Sequence, residues 1–181
     1  LQVCNVGQIR GGTAACAWTV SRCFPDAQHT VAFLSRPTPD TIAAFQGCDL
    51  RTWDRVTPEL VRDCKVDLAV LHNTPARSVT GKLSVFAISY VHSRIVPFRG
   101  DITCYCSGWL AERYGAERGS VLLQPVPTPR RSDEPVETRA LRERLVVGRL
   151  CTPLSRKWPE RTIGFYRELA GQHRNVDWEF V

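Results

Sequence analysis

Short apolar runs alternate with helix-length amphipathic stretches along most of this 181-residue chain. The runs lie at residues 1–6, 29–34, 67–71, 85–93, 102–107 and 120–126. Each is rich in apolar and β-branched residues and is bounded by polar turns, which is typical of strands covered on both faces. Strands separated by helices in this way form β-α-β units. We therefore predict an α/β fold, a parallel sheet with helices on both of its faces.

Local signals mark where the helices begin and end. Thr57 is placed to cap a helix that has Pro58 at its first position. Ser107 can cap a later helix that Gly115 terminates. The other predicted helices cover residues 13–23, 40–46 and 159–172. In the last of these, spacing predicts a buried face formed by Ile163, Tyr166, Leu169 and Ala170.

A proline-rich segment divides the chain. Residues 1–126 are predicted to form the first domain, and residues 127–143 a charged, proline-rich linker with a short helix. Residues 144–181 then begin a second β-α-β unit. Because a doubly wound domain contains several such units, we expect the second domain to be incomplete within this sequence.

The net charge and the hydropathy of the chain limit the classes of partner that it can bind. The net charge is +6 and the isoelectric point is near 9.1, but the basic residues are scattered, which disfavours nucleic-acid binding. The basic excess instead suits a phosphorylated substrate or a peripheral contact with an anionic membrane. No run has the roughly 18 apolar residues of a membrane span, and no secretory signal opens the chain. The expected location is the cytoplasm, including the inner face of the membrane.

Eight cysteines are spread along the sequence without a CxxC pair. Several lie within apolar runs, where a free thiol behaves as a small hydrophobic side chain. Zinc sites that can be recognised from sequence have paired ligand clusters, and those are missing here. We predict reduced cysteines, no disulfide framework and no metal site.

A glycine-rich turn joins the first strand to the first helix. Gly11 and Gly12 lack a Cβ, so a ligand can approach the backbone at the helix N-terminus, where Thr13 follows. The spacing matches neither a dinucleotide-binding fingerprint nor a phosphate-binding P-loop. A plain structural turn is therefore an open alternative.

Polar side chains follow two later strands. His72 and Asn73 come directly after one strand, and His92, Ser93 and Arg94 after the next. The carboxyl ends of parallel strands meet at one edge of a sheet, where ligands of such folds bind. We expect these residues to gather along one rim with the glycine turn. Whether the histidines are structural or functional is open at this stage.

Two cationic side chains lie at the corresponding strand end and helix start in the second β-α-β unit. Arg149 follows a strand, and Lys157 precedes a helix that begins near Pro159. Unpaired N–H groups and the positive helix end favour an anion there, and a diphosphate would fit. A solvated surface pair is the alternative. No G-x-S-x-G element is present, which disfavours an α/β-hydrolase.

Taken in order, these elements resemble glycosyltransferase family 4, whose members are retaining enzymes with the two-domain GT-B fold. The matching segments are GGT, DLAVLHNTP, YVHS, CSGWLAERYG and VGRLCTPLSRKWPERTIGFYRELA. The resemblance implies that the first domain is the Rossmann-like, acceptor-side domain. It also implies that residues 144–181 begin the donor-binding domain.

The resemblance assigns roles to individual residues. His92 would be catalytic, standing beside the transferred sugar. Gly11, Gly12, Arg149 and Lys157 would bind the donor diphosphate, with the two cations stabilising the leaving group. The donor would be a nucleotide-diphosphate sugar, and no metal or other cofactor would be required.

The remaining rim residues would face the acceptor, which would be a sugar, a lipid-linked sugar or a polysaccharide. They are Thr13, His72, Asn73, Ser93 and Arg94.

Two features depart from the family. Gln124-Pro125-Val126-Pro127 stands where the family commonly has an Asn-Gly-Val-Asp-like turn. The acidic Glu-x7-Glu element would follow Val181, so this piece alone is expected to be inactive. The alternatives are a non-catalytic GT-B-like binding module, which would lack that acidic pair, and an epimerase of the same fold, which would carry cleft carboxylates.

Overall fold

A six-stranded sheet organises the N-terminal part of the chain. The computed structural model describes residues 1–125 and 160–173. The strands are β1 (Gln2–Cys4), β2 (Thr30–Phe33), β3 (Asp49–Thr52), β4 (Leu68–His72), β5 (Phe86–Val91) and β6 (Ile102–Tyr105). All neighbours run parallel, in the order β3-β2-β1-β4-β5-β6. This is the strand order of Rossmann-like folds, and it confirms the predicted α/β class.

Helices cover both faces of the sheet. They are α1 (Gly12–Cys23), α2 (Pro39–Ala44), α3 (Pro58–Asp63) and α4 (Gly108–Arg113). Val3 lies in an apolar cluster with Val61 of α3, whereas the adjacent Cys4 lies in a second cluster with Ala14 and Ala17 of α1. Successive strand residues point to opposite faces, so β1 anchors both layers of the core.

The predicted helix boundaries at Thr57 and Ser107 are confirmed. The Thr57 hydroxyl accepts a hydrogen bond from the Leu60 backbone N–H at 3.3 Å, and Ser107 accepts one from Leu110 at 3.2 Å. Gly115 follows α4 with a φ of +64°, the left-handed conformation expected after a helix. Short polar signals therefore located these helices correctly.

The predicted strands differ from the observed ones in two places. β3 was not predicted because it is an edge strand with mostly exposed residues, so it lacks an apolar run. In residues 120–125, the described part of the strand predicted at 120–126, the sheet pairing is one bridge between Val121 and Tyr105. A turn of 3₁₀ helix precedes that bridge, and Leu123 after it is 71% exposed. Apolar character in this segment therefore does not reflect burial in the sheet.

The seven cysteines of the described residues are all free. Cys4 and Cys16 are buried, Cys23 is exposed, and the other four are partly buried. The free thiols agree with the predicted reduced state, and the apolar runs that contain several of them do not bury every one.

The chain divides into two compact units, Leu1–Thr128 and Pro129–Val181. In the second unit the structure describes α5 (Glu160–Gln172), close to the predicted helix. Ile163 was predicted to be buried but is 59% exposed. The predicted linker at 127–143 and the strands around it lie outside the described residues.

Candidate functional site

The carboxyl edge of β1, β4 and β5 forms the candidate site. β1 and β4 are neighbours, and the chain leaves them toward opposite sides of the sheet. A crevice opens at such a switch point, and ligands of open α/β sheets bind there. Gly11, Gly12, His72 and His92 all belong to the segments that end these strands or follow them.

The loop after β1 is held in place by α2. Gly7 has no room for a side chain, because a Cβ there would lie 2.3 Å from the Arg36 carbonyl oxygen. The Thr41 hydroxyl donates to the Gly7 carbonyl at 2.8 Å and accepts from the Ile9 backbone N–H at 2.8 Å. This clamp fixes the direction in which the chain enters α1.

The N-terminus of α1 lies at this edge of the sheet and has no side-chain cap. Gly11 caps the helix without a side chain, and no acidic residue occupies the first turn. A Cβ on Gly12 would meet only the Gln124 amide nitrogen, 3.8 Å away. Helix N-termini carry unpaired N–H groups and partial positive charge, so this end of α1 suits an anion.

Two buried polar atoms close to this turn in sequence lack a hydrogen-bond partner among the described residues. They are Thr13 Oγ1, in the first turn of α1, and Asn5 Oδ1, directly after β1. Thr13 is only 7% exposed. Buried polar atoms are normally paired, so an unpaired hydroxyl in this turn is consistent with a ligand or water partner.

His72 and His92 belong to one directed chain of hydrogen bonds. Gln2 Nε2 donates to the Ala17 carbonyl at 3.0 Å, which leaves Gln2 Oε1 to accept from His72 Nε2 at 3.0 Å. His72 Nδ1 then accepts from His92 Nε2 at 3.2 Å. His92 Nδ1 is left to accept from the Gln124 amide, which contacts it closely. The pattern gives each histidine a single proton, on Nε2.

Burial reinforces this neutral state. It lowers the pKa of His72 to about 3, with a smaller contribution from His92, and the pKa of His92 to about 4. His72 has no exposed surface. His72 was predicted to lie on the rim, but it is buried beneath it. It is linked to the rim through His92.

Asn73 shapes the end of β5. Its φ is +51°, a left-handed conformation that Asn tolerates better than most residues. Its Oδ1 accepts from the backbone N–H groups of His92 at 3.1 Å and Ser93 at 2.9 Å, and its Nδ2 donates to Ser93 Oγ at 2.8 Å. Asn73 is therefore a buried positioning residue, and Ser93 is exposed beside it.

Arg94 lies in a separate cavity of about 640 Å³. The cavity is also lined by Ile95 and by residues of α4 and its end, including Trp109, Arg113 and Tyr114. Trp109 is 65% exposed, and the Arg113 guanidinium lies 5.9 Å from its ring centre. Of the predicted rim residues, Arg94 is the one placed here.

Three residues of the site were not predicted from sequence. Gln2 and Gln124 complete the histidine chain, and Cys16 of α1 lies within 4.8 Å of ligand atoms of both His72 and His92. No spacing motif connects Cys16 with residues 56 and 76 positions away. The predicted diphosphate-binding residues Arg149 and Lys157 lie outside the described residues.

Comparisons with protein-family models, with curated proteins and with solved structures found no match for this chain. Among residues 1–125 and 160–173, none of the helices combines the length and apolar character required to cross a bilayer.

Proposed function

We propose that this chain forms the acceptor-side domain, and the start of the donor-binding domain, of a retaining GT-B glycosyltransferase. The donor would be a nucleotide-diphosphate sugar. One observation carries the proposal: the Gln124 amide contacts His92 and lies 3.8 Å from the Cβ position of Gly12. The open end of α1 and the candidate catalytic histidine therefore lie next to the same amide nitrogen, close enough for one donor molecule to reach both.

The proposed roles follow from the chemistry of each group. The first-turn N–H groups of α1, beginning at Gly12, would donate to a phosphate oxygen. The Gly11 N–H already donates to the Gln8 carbonyl at 2.8 Å, so Gly11 would contribute by leaving room for the ligand. His92 is neutral, and its Nδ1 could accept a hydrogen bond from a sugar hydroxyl in place of the Gln124 amide. His72 would act through His92 by fixing its ring. Arg149 and Lys157, whose placement is not described, would stabilise the leaving diphosphate.

The acceptor and the location are part of the same proposal. Ser93, exposed beside the crevice, and Arg94, in the cavity lined by α4, would face a sugar, lipid-linked or polysaccharide acceptor. The basic net charge of +6 supports a location at the cytoplasmic face of an anionic membrane. The transfer itself would use cationic side chains in place of a metal.

Binding of nucleotide-diphosphate sugars tests the proposal. The full chain, and its continuation past Val181 if the natural protein is longer, would be titrated calorimetrically with uridine, guanosine and adenosine diphosphates and their glucose conjugates. Gly12→Val places a side chain over the open end of α1. Gly108→Val is the matched control, because Gly108 is the first residue of α4 and also has open space at its Cβ.

We expect Gly12→Val to weaken diphosphate binding by at least about tenfold, or 1.4 kcal/mol, and Gly108→Val to leave it unchanged. Equal affinities for both variants would remove α1 from the proposed site. A folded protein that binds none of these nucleotides would instead favour a non-catalytic module.

A further inference from the structure

Three side chains with metal-binding atoms converge beneath the crevice. Cys16 comes from α1, His72 from the end of β4 and His92 from the segment after β5, and their ligand atoms all lie within 4.8 Å of one another. We call these three residues the Cys–His cluster. Cys16 is 2% exposed and His72 is fully buried. The cluster is built by tertiary packing, because its members are far apart in sequence.

The distance between the two imidazoles suits a shared ion. His72 Nδ1 and His92 Nε2 are 3.2 Å apart. Two nitrogen ligands at 2.0–2.1 Å from a tetrahedral zinc ion are about 3.3 Å apart. The hydrogen-bonded pair therefore already has the separation of a ligand pair, and an ion would replace one proton between the rings.

The surrounding hydrogen bonds select the required tautomers. His72 donates from Nε2 to Gln2 Oε1, and Gln2 is itself fixed by the Ala17 carbonyl. The lone pair of His72 Nδ1 is thus directed at the cluster. When His92 ligates through Nε2, its proton moves to Nδ1, and the Gln124 amide would turn to present its oxygen. Such second-shell partners orient metal-binding histidines in general.

The donor set selects the type of metal. One sulfur and two imidazole nitrogens favour zinc and related d-block ions over magnesium or calcium, which prefer oxygen ligands. No carboxylate belongs to the cluster among the described residues. Three protein ligands also leave one tetrahedral position for water or another small ligand.

We propose that Cys16 Sγ, His72 Nδ1 and His92 Nε2 bind one zinc ion. Binding forms a zinc–thiolate bond and releases the Cys16 proton to solvent, with no change in oxidation state. Since both rings are already neutral at pH 7, the count is one proton per ion. Burial raises the pKa of Cys16 to about 11, so the thiol holds that proton until the metal displaces it. This site goes beyond the proposed glycosyl transfer and does not depend on it.

Calorimetric titration of the chelator-treated full chain with zinc tests the proposal. Measurements at pH 7 in two buffers of different ionisation enthalpy give the number of protons released. Cobalt(II) replaces zinc in a parallel titration, because a cobalt–thiolate bond produces a charge-transfer absorption band. We expect one ion per chain, about one proton per ion and the thiolate band.

Variants locate the site. Cys16→Ala should abolish the band and weaken zinc binding by more than about 100-fold, since even second-shell losses cost 10–100-fold. His92→Gln, at a half-buried position, provides an independent test if Cys16→Ala does not fold. The control Cys106→Ala removes a thiol that lies beside the His92 carbonyl, 3.6 Å away, but outside the cluster.

Five results would overturn the proposal. They are no tight zinc binding by the parent chain, a band that persists in Cys16→Ala, a zinc affinity of His92→Gln equal to that of the parent, a band lost in Cys106→Ala, and tight binding without proton release, which would exclude the Cys16 thiolate as a ligand.

Discussion

The buried side chain of Asn73 makes three hydrogen bonds. Its Oδ1 satisfies two backbone N–H groups, at His92 and Ser93, and its backbone is left-handed. Asn73→Ala would leave both donors unpaired and place a less tolerant residue at a φ of +51°. We expect a loss of roughly 2–4 kcal/mol in the free energy of unfolding, measured by urea denaturation.

Asn73→Asp is the informative comparison, because it keeps an oxygen that accepts from both backbone N–H groups. It replaces the donation to Ser93 Oγ by a second oxygen and adds a charge, whose desolvation these donors offset in part. It should cost clearly less than Asn73→Ala. An alanine variant within about 0.5 kcal/mol of the parent, the range of ordinary surface substitutions, would contradict this role.

His72 and His92 give the protein a defined pH dependence. Burial lowers the pKa of His72 to about 3 and that of His92 to about 4, whereas both titrate near 6.5 when unfolded. The unfolded state therefore binds more protons between pH 6.5 and 4. The stabilisation is fully present above pH 6.5 and is lost as the pH falls.

Between pH 7 and pH 5 we expect the free energy of unfolding to fall by about 2 kcal/mol for each histidine. Urea denaturation at several pH values would measure this slope. His92→Gln should remove about half of the decrease. A stability that is constant over this range would show that the rings are not held neutral.

At the level of elements, side-chain caps determine where several short helices begin. The Ser107 hydroxyl accepts from the Leu110 N–H at the start of α4, a helix of only six residues. Ser107→Ala should lower the free energy of unfolding by about 1 kcal/mol, and Ser107→Asn should restore most of it. Chemical denaturation of both variants tests this, and equal losses would mean that the hydroxyl is not acting as a cap.

The elements that could be predicted are those with local signals. Caps and turns located α3 and α4, because Thr57 and Ser107 act within one helical turn. The edge strand β3 was missed, since an exposed strand is held by backbone pairing to β2 and needs no apolar run. Residues 120–125 were wrongly predicted as a strand for the opposite reason, because Leu122 and Leu123 are apolar but exposed.

For the whole molecule, parallel topology predicted that the strand ends would meet, but not how deep each side chain would lie. His72 was expected on a rim, yet packing of β4 between β1 and β5 buries it completely. Cys16 enters the site only because α1 crosses the sheet above these strands. Such convergence depends on tertiary contacts, and no local spacing encodes it.

The Cys–His cluster joins α1, β4 and the segment after β5, so an ion bound there should stabilise the entire N-terminal domain. At a free zinc concentration 100 times the dissociation constant, the gain is about 2.7 kcal/mol. For a protein of this size that corresponds to a rise in Tm of about 5–10 °C. Differential scanning calorimetry with and without zinc measures the shift.

The size of that shift should depend on pH in a defined direction. Binding displaces the Cys16 proton, whose pKa is raised to about 11, so affinity should weaken about tenfold for each unit of decreasing pH. At fixed total zinc, the rise in Tm should therefore be larger at pH 8 than at pH 6. Cys16→Ala should show neither the rise nor its pH dependence. A zinc-induced rise of equal size in that variant would place the ion elsewhere, because the alanine supplies no thiolate and releases no proton.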